Sequence, residues 1–249
     1  MLSFAAKRLL ASVPTLLVLI TLAFFMMHAA PGGPFDRERA LPAEIEAAMK
    51  SAYHLDEPVM QQYLRYMGGL LHGDLGPSFQ YPGFSVSELI ASGFPVSLQL
   101  GLWSMLLALP LGCAAGMLAA VRQNRAADHA LMAVALAGMS IPTYVIAPLL
   151  VLLFAVSLGW LPAGGWEHGR YADMVMPVLA LAAPQIAYIA RLMRGATIEV
   201  LRSNFIRTAR AKGLPAHRVL LRHAIKPALI PVLSYLGPAA AGIITGSVV

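Results

Sequence analysis

Five stretches without Asp, Glu, Lys or Arg divide the chain: Leu9–Ala30, Leu89–Val121, His129–Trp166, Met174–Ala190 and Pro227–Val249. The first holds 22 residues, and at 1.5 Å rise per residue that is about 33 Å, enough to cross the hydrocarbon of a bilayer. The second and third exceed one crossing. In the second, a lead-in to Pro95 precedes a helix from about Val96 that ends at Arg122 and Arg125. In the third, a span over about 130–158 is bent by Pro142 and Pro148; bends of this kind survive in a membrane where neighbouring helices or a water-lined cavity satisfy the freed carbonyls. The fourth is a short span over 174–190, and the fifth opens at Pro227. The pattern predicts an all-α, polytopic helical bundle with five spans.

The polar stretches between these runs are unequal. Residues 31–94 form a segment of 64 residues with eight acids against four basic residues, in which Pro42 opens a helix to about Tyr53 and Pro58 a second to about Leu71. Arg191–Lys226 is the reverse: it holds nine of the eighteen Lys and Arg residues and one acid, Glu199. Basic residues collect on the cytoplasmic side of membrane proteins. Placing segments 1–8, 122–129 and 191–226 inside puts 13 of the 18 basic residues and two of the twelve acids there. The amino terminus is then cytoplasmic, residues 31–94 are exported, and five spans finish outside. A cleavable signal peptide is the rival reading of the first run, but the run is long for one, and Met27 or His28 would occupy a cleavage position that demands a small residue.

The basic stretch also has internal order. No Gly or Pro interrupts Ile198–Lys212, and on one helix Ile198, Leu201, Phe205 and Ala209 share a face from which Arg207 and Arg210 turn away. Gly213 suits a helix stop and Pro215 a new helix start. A helix, a tight turn and a helix are predicted, which is a rigid knob at the end of a bundle.

Composition bounds the chemistry. With 58% hydrophobic and 12% charged residues, the chain carries about half the charge of a globular norm near 25%, so it is an integral membrane protein. The single Cys113 lies in an apolar run and the seven His show no metal-ligand spacing. The proposed spans lack the buried charges that ion-driven carriers and intramembrane metalloproteases ordinarily need, and the chain lacks GxxxxGK[ST], whose amides and Lys cradle nucleotide phosphates. Any ATP is therefore hydrolysed elsewhere, and no cofactor is expected on this chain. Candidate pathway residues are few: Ser140, Thr143 and Tyr144 beside the first bend, and Gln185 and Tyr188 three apart on one face of the fourth span. Polar glue between helices competes with each of them, and Gly112 with Gly116 is a small-residue pair for close helix approach.

Arg207-Thr208-Ala209, Gly213 and the region of Arg222-His223-Ala224-Ile225 and Pro227 resemble the EAA loop of permease subunits of binding-protein-dependent ABC importers. The form Arg207-Thr208-Ala209-Arg210-Ala211-Lys212-Gly213-Leu214, ahead of Pro215, resembles the oligopeptide, dipeptide and nickel branch, in its first-permease type, with Arg207 standing where the family name has Glu. Pro31-Gly32-Gly33-Pro34 and Gly73-Asp74-Leu75-Gly76-Pro77-Ser78 resemble that branch's PGDP and GDLG-x-S signatures, with Gly33 in place of Asp, and Leu158–Trp166 its external turn. The resemblance covers the whole chain. It implies a single transmembrane permease domain over 1–249, a coupling loop at 191–226, and residues 207–215 as the contact to ATPase subunits. It also implies a second homologous permease, two ABC ATPases that carry ATP and Mg, an exported solute-binding protein, peptide cargo, and residence among the lipids of a bacterial or archaeal cytoplasmic membrane, with no nucleic-acid partner. Such permeases have six spans, so a final loop and helix are expected beyond Val249. Nickel or another small solute is the alternative cargo. From another class, a non-transporting scaffold whose basic loop binds anionic lipid would need positive charge but not its order.

Overall fold

The computed structural model describes residues 2–30, 51, 53–78, 80, 81, 83–166 and 170–246, and their regular structure is helical apart from one antiparallel bridge between Pro77 and Ser85. The helices are α1 Leu2–Ala29, α2 Val59–Leu71, α3 Val86–Val121, α4 Ala126–Ser140, α5 Thr143–Leu150, α6 Tyr171–Leu201, α7 Asn204–Ala211, α8 Ala216–Arg218 and α9 Ile225–Gly246, with wider π-helical turns at Val151–Ser157 and Val219–Ala224. The chain forms two compact units, Met1–Ser92 and Gly93–Val249.

In the first unit α1 is an apolar rod with Leu9, Leu10, Val13 and Leu16 exposed along it, as a lipid-facing helix requires. Near its end Phe24 is buried against the rings of His28, Tyr63 and Tyr66, and Thr21 and the Tyr63 hydroxyl lie 2.8 Å apart. Helix α2 begins directly after Pro58, as expected from a residue that cannot donate into a preceding turn. The expected helix from Pro42 and the Pro31–Pro34 motif fall outside the described residues. The Gly73–Ser78 motif is a closed turn: Gly73 and Gly76 take positive φ (78° and 86°), and Asp74 Oδ1 accepts the Gly76 N–H at 2.8 Å. Ser85 and Glu88 then form a reciprocal cap, Ser85 N–H to Glu88 Oε2 at 2.8 Å and Glu88 N–H to Ser85 Oγ at 3.1 Å. Helix α3 therefore starts at Val86, ten residues before the expected Val96, and runs through Pro95 and Pro110.

In the second unit α3 presents small buried residues, Ser104, Ala108, Gly112 and Gly116 among them, so α6 approaches closely, while Gly101 lies against Ile243 and Ile244 of α9. A Cβ on Gly112 would lie 2.7 Å from Ile189 Cβ, and one on Gly116 would strike the Ala190 carbonyl. Gly242, by contrast, faces open space. Ala108, Ala182, Ile189, Met193, Ala228 and Val232 make the core where α3, α6 and α9 meet, and Cys113 packs beside it.

Three expected boundaries change. The third apolar run is two helical pieces, Ala126–Ser140 and Thr143–Ser157, at 101° to each other. The break falls wholly at Ile141 and Pro142, both extended, because a residue before proline is driven out of the α region; Pro148 stays inside α5. The fourth run is not a short span but α6, which continues eleven residues past Ala190, through Arg191, Arg194 and Glu199. The fifth helical stretch begins at Ala216, not Pro227, because the π-helical turns join α8 to α9. Among the described residues four helical stretches are long and apolar enough to cross a membrane, and the broken pair makes five if counted as one crossing.

Candidate functional site

The end of α6 and the residues that follow it form the candidate site. The expected single helix over 198–212 is two: α6 stops at Leu201, and Ser203, extended (φ −70°, ψ 157°), precedes α7. Ser and Asn favour helix starts because their side chains compete with helical backbone hydrogen bonding, and here Ser203-Asn204 is the joint. The joint rotates the second helix. Ile206 and Ala209 are buried against Val219 and Ala224, with Leu214 and Leu220 packed around them, whereas Phe205, expected on the inner face, is 49% exposed. Arg207, Thr208, Arg210, Ala211 and Lys212 are on the outer side, as expected for the two arginines.

The stop is a Schellman motif. Gly213 N–H bonds the Arg210 carbonyl at 3.0 Å and Leu214 N–H the Ala209 carbonyl at 3.4 Å, with Gly213 at φ 78° and Leu214 against the same small core as Ala209. A Cβ on Gly213 would meet nothing within 4 Å, so backbone conformation and not space demands glycine. Pro215 then precedes α8, with Arg218 and Val219 N–H groups bonded to its carbonyl at 2.9 and 3.1 Å. The result is a short amphipathic helix held by its apolar side, its basic side free, and a sharp turn into the next span.

A second feature of this end was not foreseen. Asp128, 1% exposed in the first turn of α4, receives Arg194 Nε on Oδ1 at 2.6 Å and Arg194 Nη2 on Oδ2 at 2.7 Å. Its Oδ2 also accepts the Asn124 N–H at 2.9 Å, and Asn124 sits at φ 62°. Arg202 Nη2 donates to Gln123 Oε1 at 3.4 Å. The loop 122–125 is thus tied to α6 at both its middle and its end. A lone acid beside Arg122 and Arg125 was the available signal in the sequence, but a partner 66 residues away was not.

The five pathway candidates separate into two groups. Ser140, Thr143 and Tyr144 flank the 101° break; Ser140 Oγ donates to the Leu136 carbonyl at 2.9 Å within its own helix, and Tyr144 is 76% exposed. Gln185 and Tyr188 share a face of α6, and both meet Tyr235 of α9, which the sequence did not single out: its hydroxyl donates to Gln185 Oε1 at 2.7 Å and its ring stacks on Tyr188 at 4.3 Å. That is an interhelical contact. Among the described residues no three His, Cys, Asp or Glu side chains gather as metal ligands would.

Two family models match the chain: "Binding-protein-dependent transport system inner membrane component" over residues 108–249, and the N-terminal part of such membrane components over 1–100. The chain belongs to this family. The permease is 55% identical over 249 residues to the oligopeptide transport system permease protein OppB of Escherichia coli K12, covering all of this chain and 81% of that one. It is 54% identical to OppB of Haemophilus influenzae over the same span. To the dipeptide transport system permease protein DppB of Bacillus subtilis it is 41% identical over 246 residues, 99% of this chain and 79% of that one. It is accordingly a multi-pass membrane protein of the first-permease type, and a permease rather than an enzyme.

Proposed function

We propose that this permease is one of two membrane subunits of an ATP-driven peptide importer, forms half of the translocation pathway, and couples to ATPase subunits through residues 198–226. The single observation that carries the coupling role is the form of that element: a helix docked by Ile206 and Ala209, stopped at Gly213, and presenting Arg207, Arg210 and Lys212 outward. Such an element transmits a push because its buried side leaves it little freedom to tilt. Peptide cargo is supported by the names of the oligopeptide and dipeptide relatives.

The charge distribution supports a cytoplasmic amino terminus and a cytoplasmic 191–226 segment, with residues 31–94 exported toward a solute-binding protein. A second permease and two ATPases that bind ATP and Mg complete the assembly. ATPase closure pushes the 198–226 element, and the helices that continue from it on either side convert the push into alternating access. Ala209 acts by fit and Gly213 by turn geometry.

The test is co-purification of the tagged, full-length subunit from gently solubilised membranes, followed by an ATPase assay. Recovery of a second permease and two nucleotide-binding subunits, with hydrolysis stimulated by a peptide-loaded binding protein, is expected. A solitary, stable protein would instead support a lipid-tethered scaffold. Scrambling residues 204–215 at constant charge separates the two further, since a tether tolerates it and a coupling element fails.

A further inference from the structure

The coupling element hangs from the end of α6, which continues eleven residues past the end of its uncharged run at Ala190, to Leu201, about 16 Å at helical rise, with Met193 and Thr197 still buried. A rod of that length transmits force along its axis only if it cannot swing sideways. One side is held by α3, where Gly116 lies against Ala190, Met193 and Arg194. The 122–128 loop holds it through the Asp128–Arg194 pair and through the Gln123–Arg202 contact one residue from the joint with α7.

We propose that Asp128 is a positioning residue for energy coupling: with Arg194 it locks the extension of α6 to the 122–128 loop, so that motion at residues 204–218 is delivered to the bundle and not lost at the joint. Three observations carry this. The pair is two-pronged, with Nε and Nη2 each meeting its own carboxylate oxygen, which fixes orientation as well as distance. The same carboxylate accepts the Asn124 N–H, so one side chain sets both the left-handed turn of the loop and the direction of α6. Asp128 is 1% exposed, and a buried ion pair of this kind adds little net stability over an apolar replacement, so geometry is what it contributes.

The proposal rests on residues 198–226 being the coupling element, and the experiment keeps the two apart. The complete importer, in proteoliposomes with peptide-loaded binding protein, is compared with assemblies carrying Asp128→Asn, Arg194→Lys or Gly213→Val, and peptide taken up per ATP hydrolysed is read at equal amounts of assembled complex. Networks of this kind modulate coupling by factors of roughly 2–30; a fall in that range is expected for Asp128→Asn, and a smaller one for Arg194→Lys, which keeps the charge and loses the fork. A wild-type ratio in both variants overturns the proposal. Failure of both to assemble also overturns it, because the pair would then serve folding alone. Normal uptake by Gly213→Val instead sinks the reading of the coupling element itself, whatever the Asp128 variant does.

Discussion

The turn at 209–214 follows the end of α6 and the joint of 122–128 with 194–202 holds that end, and they are built in opposite ways. In the turn the bonds span three to five residues, Lys212 to Thr208, Gly213 to Arg210 and Leu214 to Ala209. In the joint the partners lie 66 and 79 residues apart, Arg194 with Asp128 and Arg202 with Gln123. A local turn loses little chain entropy when it closes, and it forms whenever its own residues are right. A long-range joint exists only after α4 and α6 have packed. The difference assigns separate work to each: the turn gives residues 204–215 their shape, and the joint fixes the direction of the helix end from which they extend.

The largest expected effect tests the joint. Asp128→Ala leaves the Arg194 guanidinium without its carboxylate, and should cost about 3 kcal/mol, the low end for a broken buried pair because Arg194 is partly exposed. Thermal unfolding of the purified subunit in detergent measures it; an unchanged midpoint would mean that water already serves Arg194.

Next comes the docking of α7. Ile206→Ala empties a fully buried position and should cost about 2 kcal/mol, the low end for such a truncation beside a small core, whereas Phe205→Ala on the outer side should stay within about 0.5 kcal/mol. The same melting series separates them, and an equal loss from both would restore the unbroken helix in which Phe205 faces inward.

Gly213→Val sharpens the local side of the comparison. Its φ of 78° is costly for a side-chain-bearing residue, by about 1–2 kcal/mol and more for a β-branched one. The subunit should still insert in the membrane, since the site has room for a Cβ, while uptake is lost. Fractionation with a transport assay shows both, and retained transport would remove the turn from the mechanism.

The smallest effect lies at the other local turn. Ser85→Ala removes one half of the reciprocal cap of α3 and should lower stability by about 1 kcal/mol. Hydrogen exchange at residues 86–89 should rise with exchange elsewhere unchanged; uniform protection would argue that the bridge of Pro77 to Ser85 alone sets that start.

Gly213 and Pro215 were legible because stop and start signals act over a few residues, and so was the pair Gly112 and Gly116, which packs against α6. The start of α3 lies ahead of the expected Val96 because Ser85 and Glu88 cap it and the helix accommodates Pro95. The inner face of α7 was not legible, because one joint at Ser203–Asn204 replaced Phe205 by Ile206. Tyr235 carried no local mark of its bond to Gln185, 50 residues away.

By itself the sequence determined the apolar helices and the turn at Gly213, because transfer out of water and local backbone bonding act within windows of a few to some twenty residues. Tertiary structure alone decided where α6 ends, which side of α7 is buried, how the third run breaks at Pro142, and that Asp128 finds Arg194. Each of those depends on which neighbour satisfies a backbone group or a charge once the helices are packed, and that neighbour lies tens of residues away in the chain.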